Sequence, residues 1–237
     1  MEESDAAVTR HHRSRRTWSF LLAAGCLVGT YFALYLAVAG RPILPVDLEV
    51  RAWVEPFRHG RLDTPMRAAS LLGEATGLLP MILVGSLVLW RVHRRWALLL
   101  PLVMAGTGAL QYVAKWSADR PRPSDAPWGF PSGHTLSVVV FAGVIAYLIA
   151  TASSRRRRRR LVSCAACAAP VAVVGFSRIY LDMHWFSDVI GGLVIGAAYL
   201  LLVIAAAELA VGRPRRASAG GAAGESTAPV PEPARST

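Results

Sequence analysis

The sequence predicts an all-α protein built as a bundle of six transmembrane helices. Of its 237 residues, 54% are hydrophobic and only 17% are charged, which is below the quarter or so typical of soluble domains. The charges cluster between long apolar stretches that carry almost none, and stretches of this length cross a bilayer as helices. The predicted spans cover about 17–40, 75–90, 96–114, 134–154, 161–177 and 185–207.

The first predicted span follows a polar segment, 1–16, that ends in a basic cluster. Within the span, Ala37-Val38-Ala39 resembles the small-residue cleavage site of a secretory signal peptide. Because the apolar stretch is longer than the apolar core of a usual signal peptide, we expect an uncleaved first span.

Two connecting segments and a tail complete the organisation. In segment 41–74, Trp53, Val54 and Phe57 alternate with charged residues, which predicts a short amphipathic element at the membrane interface. A proline-rich loop, 116–133, joins the third and fourth spans. The tail at 213–237 is rich in Ala, Gly, Pro and Ser and is expected to be disordered, so the membrane domain is predicted to occupy 17–212.

The distribution of basic residues predicts the orientation. Six spans place both termini on one side, together with the loop at 91–95 and the six consecutive arginines at 155–160. That side holds 17 of the 26 Lys and Arg residues, and the richer side is normally cytoplasmic. The loops at 116–133 and 178–184 are then extracytoplasmic, in a protein integral to the cell membrane with both termini cytoplasmic.

The net charge of +11 could also indicate nucleic-acid binding. The arginines mostly flank apolar stretches, however, and no nucleic-acid motif is recognisable. We therefore expect no nucleic-acid partner. Cys164 and Cys167 form a C-x-x-C that could indicate a redox or metal pair, but in an apolar span without other ligands we favour two small packing residues.

Three short polar motifs lie at the predicted extracytoplasmic ends of the spans. They are Lys115-x6-Arg122-Pro123, Pro131-Ser132-Gly133-His134 and Ser177-Arg178-x5-His184-x3-Asp188. The cations of these motifs, Lys115, Arg122 and Arg178, suit the distributed negative charge of a phosphate. Lys115 is also the only lysine in the chain, although alone it could be an ordinary interfacial anchor.

The remaining motif residues predict anion binding and histidine chemistry. Ser132 and Gly133 precede an apolar helix, whose free N–H groups can bind an anion that glycine lets approach closely. His184 and Asp188 share one helical face, so the carboxylate can hold one ring nitrogen while the other attacks phosphorus. His134 could protonate the leaving oxygen. Each feature alone has a plainer structural explanation, but their combination in fixed order at one predicted membrane face argues against coincidence.

The complete pattern resembles the signature of the phosphatidic acid phosphatase type 2 superfamily, and every position of that signature is matched. The resemblance covers about 17–210, and it extends less specifically to Asp47, Trp53, Asp63 and Leu72-Gly73. It implies a membrane phosphatase that acts on a lipid phosphate or diphosphate without a metal or other cofactor.

The resemblance also implies roles for individual residues. His184 would be the nucleophile that forms a phosphohistidine, Asp188 would orient it, and His134 would protonate the leaving group and then activate water. The remaining motif residues would hold the phosphate: Lys115, Arg122, Ser132, Gly133, Ser177 and Arg178. Asp119, Asp125 and Asp182 are scattered, and we interpret them as loop charges or local caps.

Several alternatives remain open at this point. The substrate could be a polyprenyl diphosphate, phosphatidic acid or phosphatidylglycerophosphate, and the same intermediate could serve a lipid phosphotransferase. Vanadium haloperoxidases share a similar signature, but they are soluble. A non-catalytic lipid-binding or transport protein is disfavoured because the spans are nearly free of polar residues. The pattern does not decide the oligomeric state.

Overall fold

The computed structural model describes residues 2–41, 43–58, 60–124, 126–152 and 156–212. These residues form eight α-helices and one short 3-10 helix, Glu55–Phe57, and no β-strand. The α-helices are α1 (Glu2–Gly40), α2 (Pro45–Val54), α3 (Asp63–Leu71), α4 (Ala75–Val92), α5 (Arg94–Ala118), α6 (Gly133–Thr151), α7 (Arg156–Tyr180) and α8 (Phe186–Gly212). The tail at 213–237, predicted to be disordered, lies outside the described residues.

In the described part of the chain, six helices contain a segment long and apolar enough to cross a membrane. These segments are Ser14–Gly40, Ala75–Val92, Arg94–Ala118, Gly133–Thr151, Leu161–Tyr180 and Phe186–Ala210. They coincide with the six predicted spans, so the predicted fold class is confirmed. The helices of the second and third spans continue past Arg91 and Lys115, because long basic side chains in a last turn can reach polar surroundings from an apolar helix.

Helix α6 lies at the centre of the bundle, where it contacts α5, α7 and α8, while α1 packs along α8 and α4 along α5. Two glycines allow α8 to approach α6 closely, as small residues do between membrane helices. A Cβ atom on Gly192 would collide with the carbonyl oxygen of Ser132, and one on Gly196 would lie 3.1 Å from that of Leu136. This close contact brings the beginning of α6 beside the beginning of α8.

Segment 41–74 forms α2, the 3-10 helix and α3 rather than one interfacial element. Helix α2 contacts α7 and α8, and α3 contacts α7 and α4. Val54 is buried in a small core with Ile179, Tyr180 and Val189, whereas its neighbour Trp53 is exposed. The expectation of a segment lying at the interface is therefore incomplete, because its apolar side packs against the end of α7 and the start of α8.

Candidate active site

The three sequence motifs meet at one end of the bundle, where α5 ends, α6 begins and α7 turns into α8. The backbone N–H of Ser132 donates to the carbonyl of Asp188 at 2.9 Å, which joins the second motif to the third. His134 lies within electrostatic range of Lys115, Arg122, Arg178 and His184. Residues from α5, α6, α7, α8 and the two connections between them thus come together around His134 and His184.

His184 occupies the turn between α7 and α8 and is held there through its backbone and its ring. Its N–H donates to the carbonyl of Arg178 at 3.2 Å, as does that of Met183 at 3.0 Å. Nδ1 of His184 lies 3.3 Å from Oδ2 of Asp188, which also accepts from the backbone N–H of Trp185 at 3.0 Å. Among the described residues no hydrogen bond engages Nε2, so that nitrogen is available for chemistry.

The surroundings of His184 favour its neutral form. Burial lowers the pKa of His184 to about 4, against the opposing hydrogen bond and charge of Asp188 and with the help of the positive charges of Lys115 and Arg178. At neutral pH the imidazole therefore carries no net charge. With Nδ1–H donated to Asp188, Nε2 holds a free lone pair.

The cations of the motifs leave donors without partners in the site. Nζ of Lys115 donates to the carbonyl of Trp128 at 2.8 Å, and Nη1 of Arg178 donates to Oγ of Ser70 at 2.5 Å. Nε of Arg122 and Nε of Arg178 are buried without a hydrogen-bond partner among the described residues. Such donors are costly to leave unsatisfied, and phosphate oxygens are acceptors that guanidinium groups bind well. The arrangement therefore suits a bound phosphate.

Helix α6 begins beside these cations. Ser132 is its N-cap, and a serine at this position often caps the backbone through its hydroxyl. Here the hydroxyl makes no such cap, and it accepts a hydrogen bond from Oγ1 of Thr135 at 3.1 Å. A Cβ atom on Gly133 would collide with the end of the Gln111 side chain and lie 3.6 Å from Cε of Lys115, so a larger residue would require Gln111 to move. The first N–H groups of α6 provide the anion site typical of a helix start.

Ser177 lies at the end of α7, fully buried. Its Oγ donates to the carbonyl of Val174 at 2.7 Å, within the same helix. The hydroxyl oxygen retains acceptor capacity, while its proton is used inside α7. Ser177 is therefore near the cluster without a free donor for a phosphate.

Arg120 is not among the residues predicted from the sequence, although its guanidinium contacts two buried carboxylates near the site. Arg120 is 2% exposed, and its Nη1 donates to Oδ1 of Asp188 at 2.5 Å and to Oγ of Ser187 at 2.7 Å. Its Nη2 donates to Oδ2 of Asp47 at 2.6 Å. The only signal in the sequence is an arginine two positions before Arg122 in the same loop, which does not reveal these partners.

Segment 41–74 contacts both the end of α7 and the site. Oδ1 of Asp63 accepts from Oη of Tyr180 at 2.9 Å, which joins α3 to α7, whereas Ser70 binds Arg178 of the site. Gly73 packs directly on His134, since a Cβ atom at Gly73 would lie 2.7 Å from Cβ of His134. The segment predicted to lie at the membrane interface therefore borders the candidate site.

Asp182 is not the isolated loop charge or local cap that was expected from the sequence. Its carboxylate accepts hydrogen bonds from Nε and Nη2 of Arg51, at 3.0 and 2.7 Å, and from Nη2 of Arg58 at 2.9 Å. Burial pushes the pKa of Asp182 upward, but the hydrogen bonds and charges of both arginines lower it overall. Asp182 fastens the turn before His184 to segment 41–74. Asp119 ends α5 in a left-handed conformation, as a local cap does, and Asp125 lies outside the described residues.

The C-x-x-C pair and the arrangement of possible metal ligands lie outside the three motifs. Cys164 and Cys167 lie in the middle of α7, several turns from Ser177, and their thiols are free. Among the described residues, no group of three or more His, Cys, Asp or Glu side chains is arranged to hold a metal ion.

Comparisons with known proteins agree with this geometry. The family model of the PAP2 superfamily matches residues 96–210, a range that contains all three motifs. The chain is 33% identical over 180 residues to phosphatidylglycerophosphatase B of Bacillus subtilis (strain 168), covering 73% of this chain and 89% of that protein. It is 29% identical over 216 residues to lipid phosphate phosphatase delta of Arabidopsis thaliana, covering 78% of this chain and 50% of that protein.

A solved structure shows the same fold. The crystal structure of a transmembrane PAP2 type phosphatidylglycerolphosphate phosphatase from Bacillus subtilis superposes with a TM-score of 0.71 at 25% sequence identity, covering 78% of this chain and 96% of the other. The family predicted from the motifs is thereby confirmed. The chain belongs to the PAP2 superfamily, as an integral membrane phosphatase of lipid phosphates.

Proposed function

We propose that His184 attacks the phosphorus of a lipid phosphate or diphosphate whose phosphate lies among Lys115, Arg122 and Arg178. The observation that carries this proposal is the pairing of His184 with Asp188 inside a cluster of cations that have unsatisfied buried donors. A neutral imidazole with one ring nitrogen held by a carboxylate is an activated nucleophile.

In the first half of the reaction the lone pair on Nε2 of His184 forms a bond to phosphorus. The bond between phosphorus and the leaving oxygen breaks, and its electron pair stays on that oxygen, which takes a proton from His134. The dephosphorylated lipid departs and the phosphoryl group remains on His184. Asp188 accepts the Nδ1–H and stabilises the positive charge that the ring acquires.

In the second half His134 removes a proton from water, whose oxygen attacks the phosphohistidine. The P–N bond breaks, its electron pair returns to Nε2, and inorganic phosphate leaves. Throughout, Lys115, Arg122, Arg178 and the first N–H groups of α6 stabilise the negative charge that spreads over the phosphoryl oxygens. Donors placed in advance in a dry site are effective for this purpose.

The proposed substrates are a polyprenyl diphosphate, phosphatidic acid and phosphatidylglycerophosphate. The names of the relatives support a lipid phosphate, and the Bacillus subtilis proteins name the last of the three. The site lies at one end of six apolar helices, so a lipid can present its headgroup while its chains stay in the bilayer.

We further infer that the protein resides in the plasma membrane with both termini cytoplasmic and the site on the extracytoplasmic side. This orientation rests on the basic residues, which are concentrated at the opposite end of the spans from the site. The predicted division into an N-terminal tail, a domain at 17–212 and a C-terminal tail remains part of this proposal.

The test is phosphate release by the full-length protein in detergent, with chelator present, on a panel of the three lipids. We expect release by the wild type and none by His184→Ala, together with a labelled phosphohistidine on rapid quenching. No release above the variant on any lipid would contradict the hydrolase proposal. A phosphoenzyme without release of phosphate would instead indicate transfer to another acceptor.

The role of His134 has a sharper test. An aryl phosphate has a leaving oxygen that needs little protonation, whereas the alkyl oxygen of phosphatidic acid needs much. We therefore expect His134→Ala to slow formation of the phosphoenzyme more with phosphatidic acid than with the aryl phosphate. Equal losses with both substrates would exclude His134 as the proton donor.

A further inference from the structure

Four buried groups form a continuous chain behind the reacting nitrogen. Asp47 on α2 accepts from Arg120 at 2.6 Å, Arg120 donates to Asp188 on α8 at 2.5 Å, and Asp188 lies 3.3 Å from Nδ1 of His184. All four side chains are 3% exposed or less. The chain connects a residue outside the three motifs to the proposed nucleophile.

We propose that Asp47 and Arg120 are positioning residues that set the orientation and charge of Asp188 behind His184. The inference rests on the proposed function of His184. One guanidinium shared between two carboxylates leaves the group Asp47–Arg120–Asp188 with a net charge of −1. That single negative charge offsets the positive charge that the His184 ring acquires on phosphorylation.

Orientation follows from the hydrogen bonds. Oδ1 of Asp188 is held by Arg120, and Oδ2 is held by the N–H of Trp185 and faces His184, so the carboxylate cannot rotate freely. Asp47 also accepts from the N–H and Oγ of Ser187, both at 2.8 Å, which fixes the first turn of α8. The guanidinium of Arg120 is thus held between the two carboxylates.

Stability alone is a weak reason for such an arrangement. A buried ion cluster often contributes little compared with well-packed apolar residues of the same volume, because desolvation of the charges offsets their attraction. The reaction supplies a reason, since a positive charge appears on His184 at one stage and disappears at the next. A fixed negative group next to it lowers the cost of that stage.

Substitutions of Asp47 and of Arg120 should move the acid limb of kcat in opposite directions. Asp47→Asn leaves the charge of Arg120 acting on Asp188 alone, so His184 becomes less basic and the acid limb of kcat moves to lower pH. Arg120→Gln removes the positive charge between Asp47 and Asp188, so the surroundings of His184 become more negative. His184 then becomes more basic, and the acid limb of kcat moves to higher pH.

The other charged groups around His184 are unchanged in both variants. They are Lys115 on α5, Arg178 on α7 and His134 at the start of α6. A shift in opposite directions therefore reports the charge behind Asp188. A merely structural role would lower activity in both variants without such opposed shifts.

The experiment measures kcat, KM and the pH profile of phosphate release for the full-length protein in detergent. The variants are Asp47→Asn, Arg120→Gln and Arg120→Lys, with Asp63→Asn as control. Asp63 is a carboxylate of the same segment, but it binds Tyr180 and not Arg120. We expect kcat to fall about 10- to 100-fold for Asp47→Asn and Arg120→Gln with little change in KM, the range typical of losing an outer partner that orients a functional group of the site.

Arg120→Lys should recover part of the lost kcat because it retains the charge, and Asp63→Asn should retain the wild-type profile. If Arg120→Gln does not fold, Asp47→Asn and Arg120→Lys carry the test. Wild-type kcat and pH profile in Asp47→Asn, or shifts in the same direction for both residues, would overturn the inference. Absence of activity in the wild type, or activity in His184→Ala, would instead overturn the proposed function.

Discussion

Gly73 provides a direct test of how segment 41–74 positions the site. A Cβ atom there would lie 2.7 Å from Cβ, 2.9 Å from Cα and 3.0 Å from the carbonyl oxygen of His134. Carbon atoms pack at about 3.5–4.0 Å, so Gly73→Ala requires a movement of about 1 Å. Because the contacts are with the backbone and Cβ of His134, rotation of its side chain cannot relieve them.

The expected cost follows from that displacement. A misplacement of about 1 Å can reduce a rate about 100-fold, so kcat for phosphatidic acid should fall by that factor. Overpacking typically costs about 1–3 kcal/mol of stability, which corresponds to a drop of several degrees in Tm. The fold itself should therefore persist under assay conditions.

The assay is phosphate release together with thermal unfolding of the same preparation. Gly108→Ala is the matched control, because it places the same methyl group on α5 with nothing within 4 Å. Since an aryl phosphate depends less on protonation, the loss in Gly73→Ala should be smaller on that substrate. Wild-type kcat in Gly73→Ala, or an equal loss in Gly108→Ala, would refute the reasoning.

Three further predictions concern individual side chains. Arg178→Lys retains the charge but loses the planar fork that binds Ser70 and that we propose binds the phosphate. We therefore expect kcat/KM to fall at least about tenfold, and unchanged kinetics would contradict this. The pKa of His184 is about 4 in the folded protein and about 6.5 in the unfolded chain. The stability that the neutral imidazole contributes is therefore complete above about pH 6.5 and is lost as the pH falls towards 4. Tm should therefore drop more in the wild type than in His184→Gln between those pH values, and equal drops would exclude the shift. Asp182→Asn should lower the free energy of unfolding in denaturant by up to about 1 kcal/mol, and by more than Glu55→Gln, whose side chain is 65% exposed. A larger loss in Glu55→Gln would contradict a role of Asp182 in holding the turn before His184.

The fold class and most of the candidate site were accessible from the sequence because the relevant signals are local. A membrane span must be a long apolar helix that satisfies its own hydrogen bonds, so hydropathy along the chain is sufficient to find it. The motif residues stand at the ends of these spans, and the spacing of His184 and Asp188 follows helical periodicity. The side of the membrane on which each loop lies remains a prediction from charge.

The contacts of segment 41–74 were not accessible in the same way. Asp182 was interpreted as a loop charge, whereas it pairs with Arg51 and Arg58, more than 120 residues earlier in the chain. These partners are brought together only by the packed structure.

The six helices, the family and the set of groups suited to a phosphate could be predicted from the sequence, because hydropathy, helical period and motif spacing are properties of short stretches. The charges next to the proposed nucleophile became visible only in the packed structure. Arg120 meets Asp47 and Asp188 across 73 and 68 residues of chain. These contacts exist because α8 packs closely on α6 while α2 folds back onto α7 and α8, and long-range packing of this kind leaves no periodic trace in the sequence.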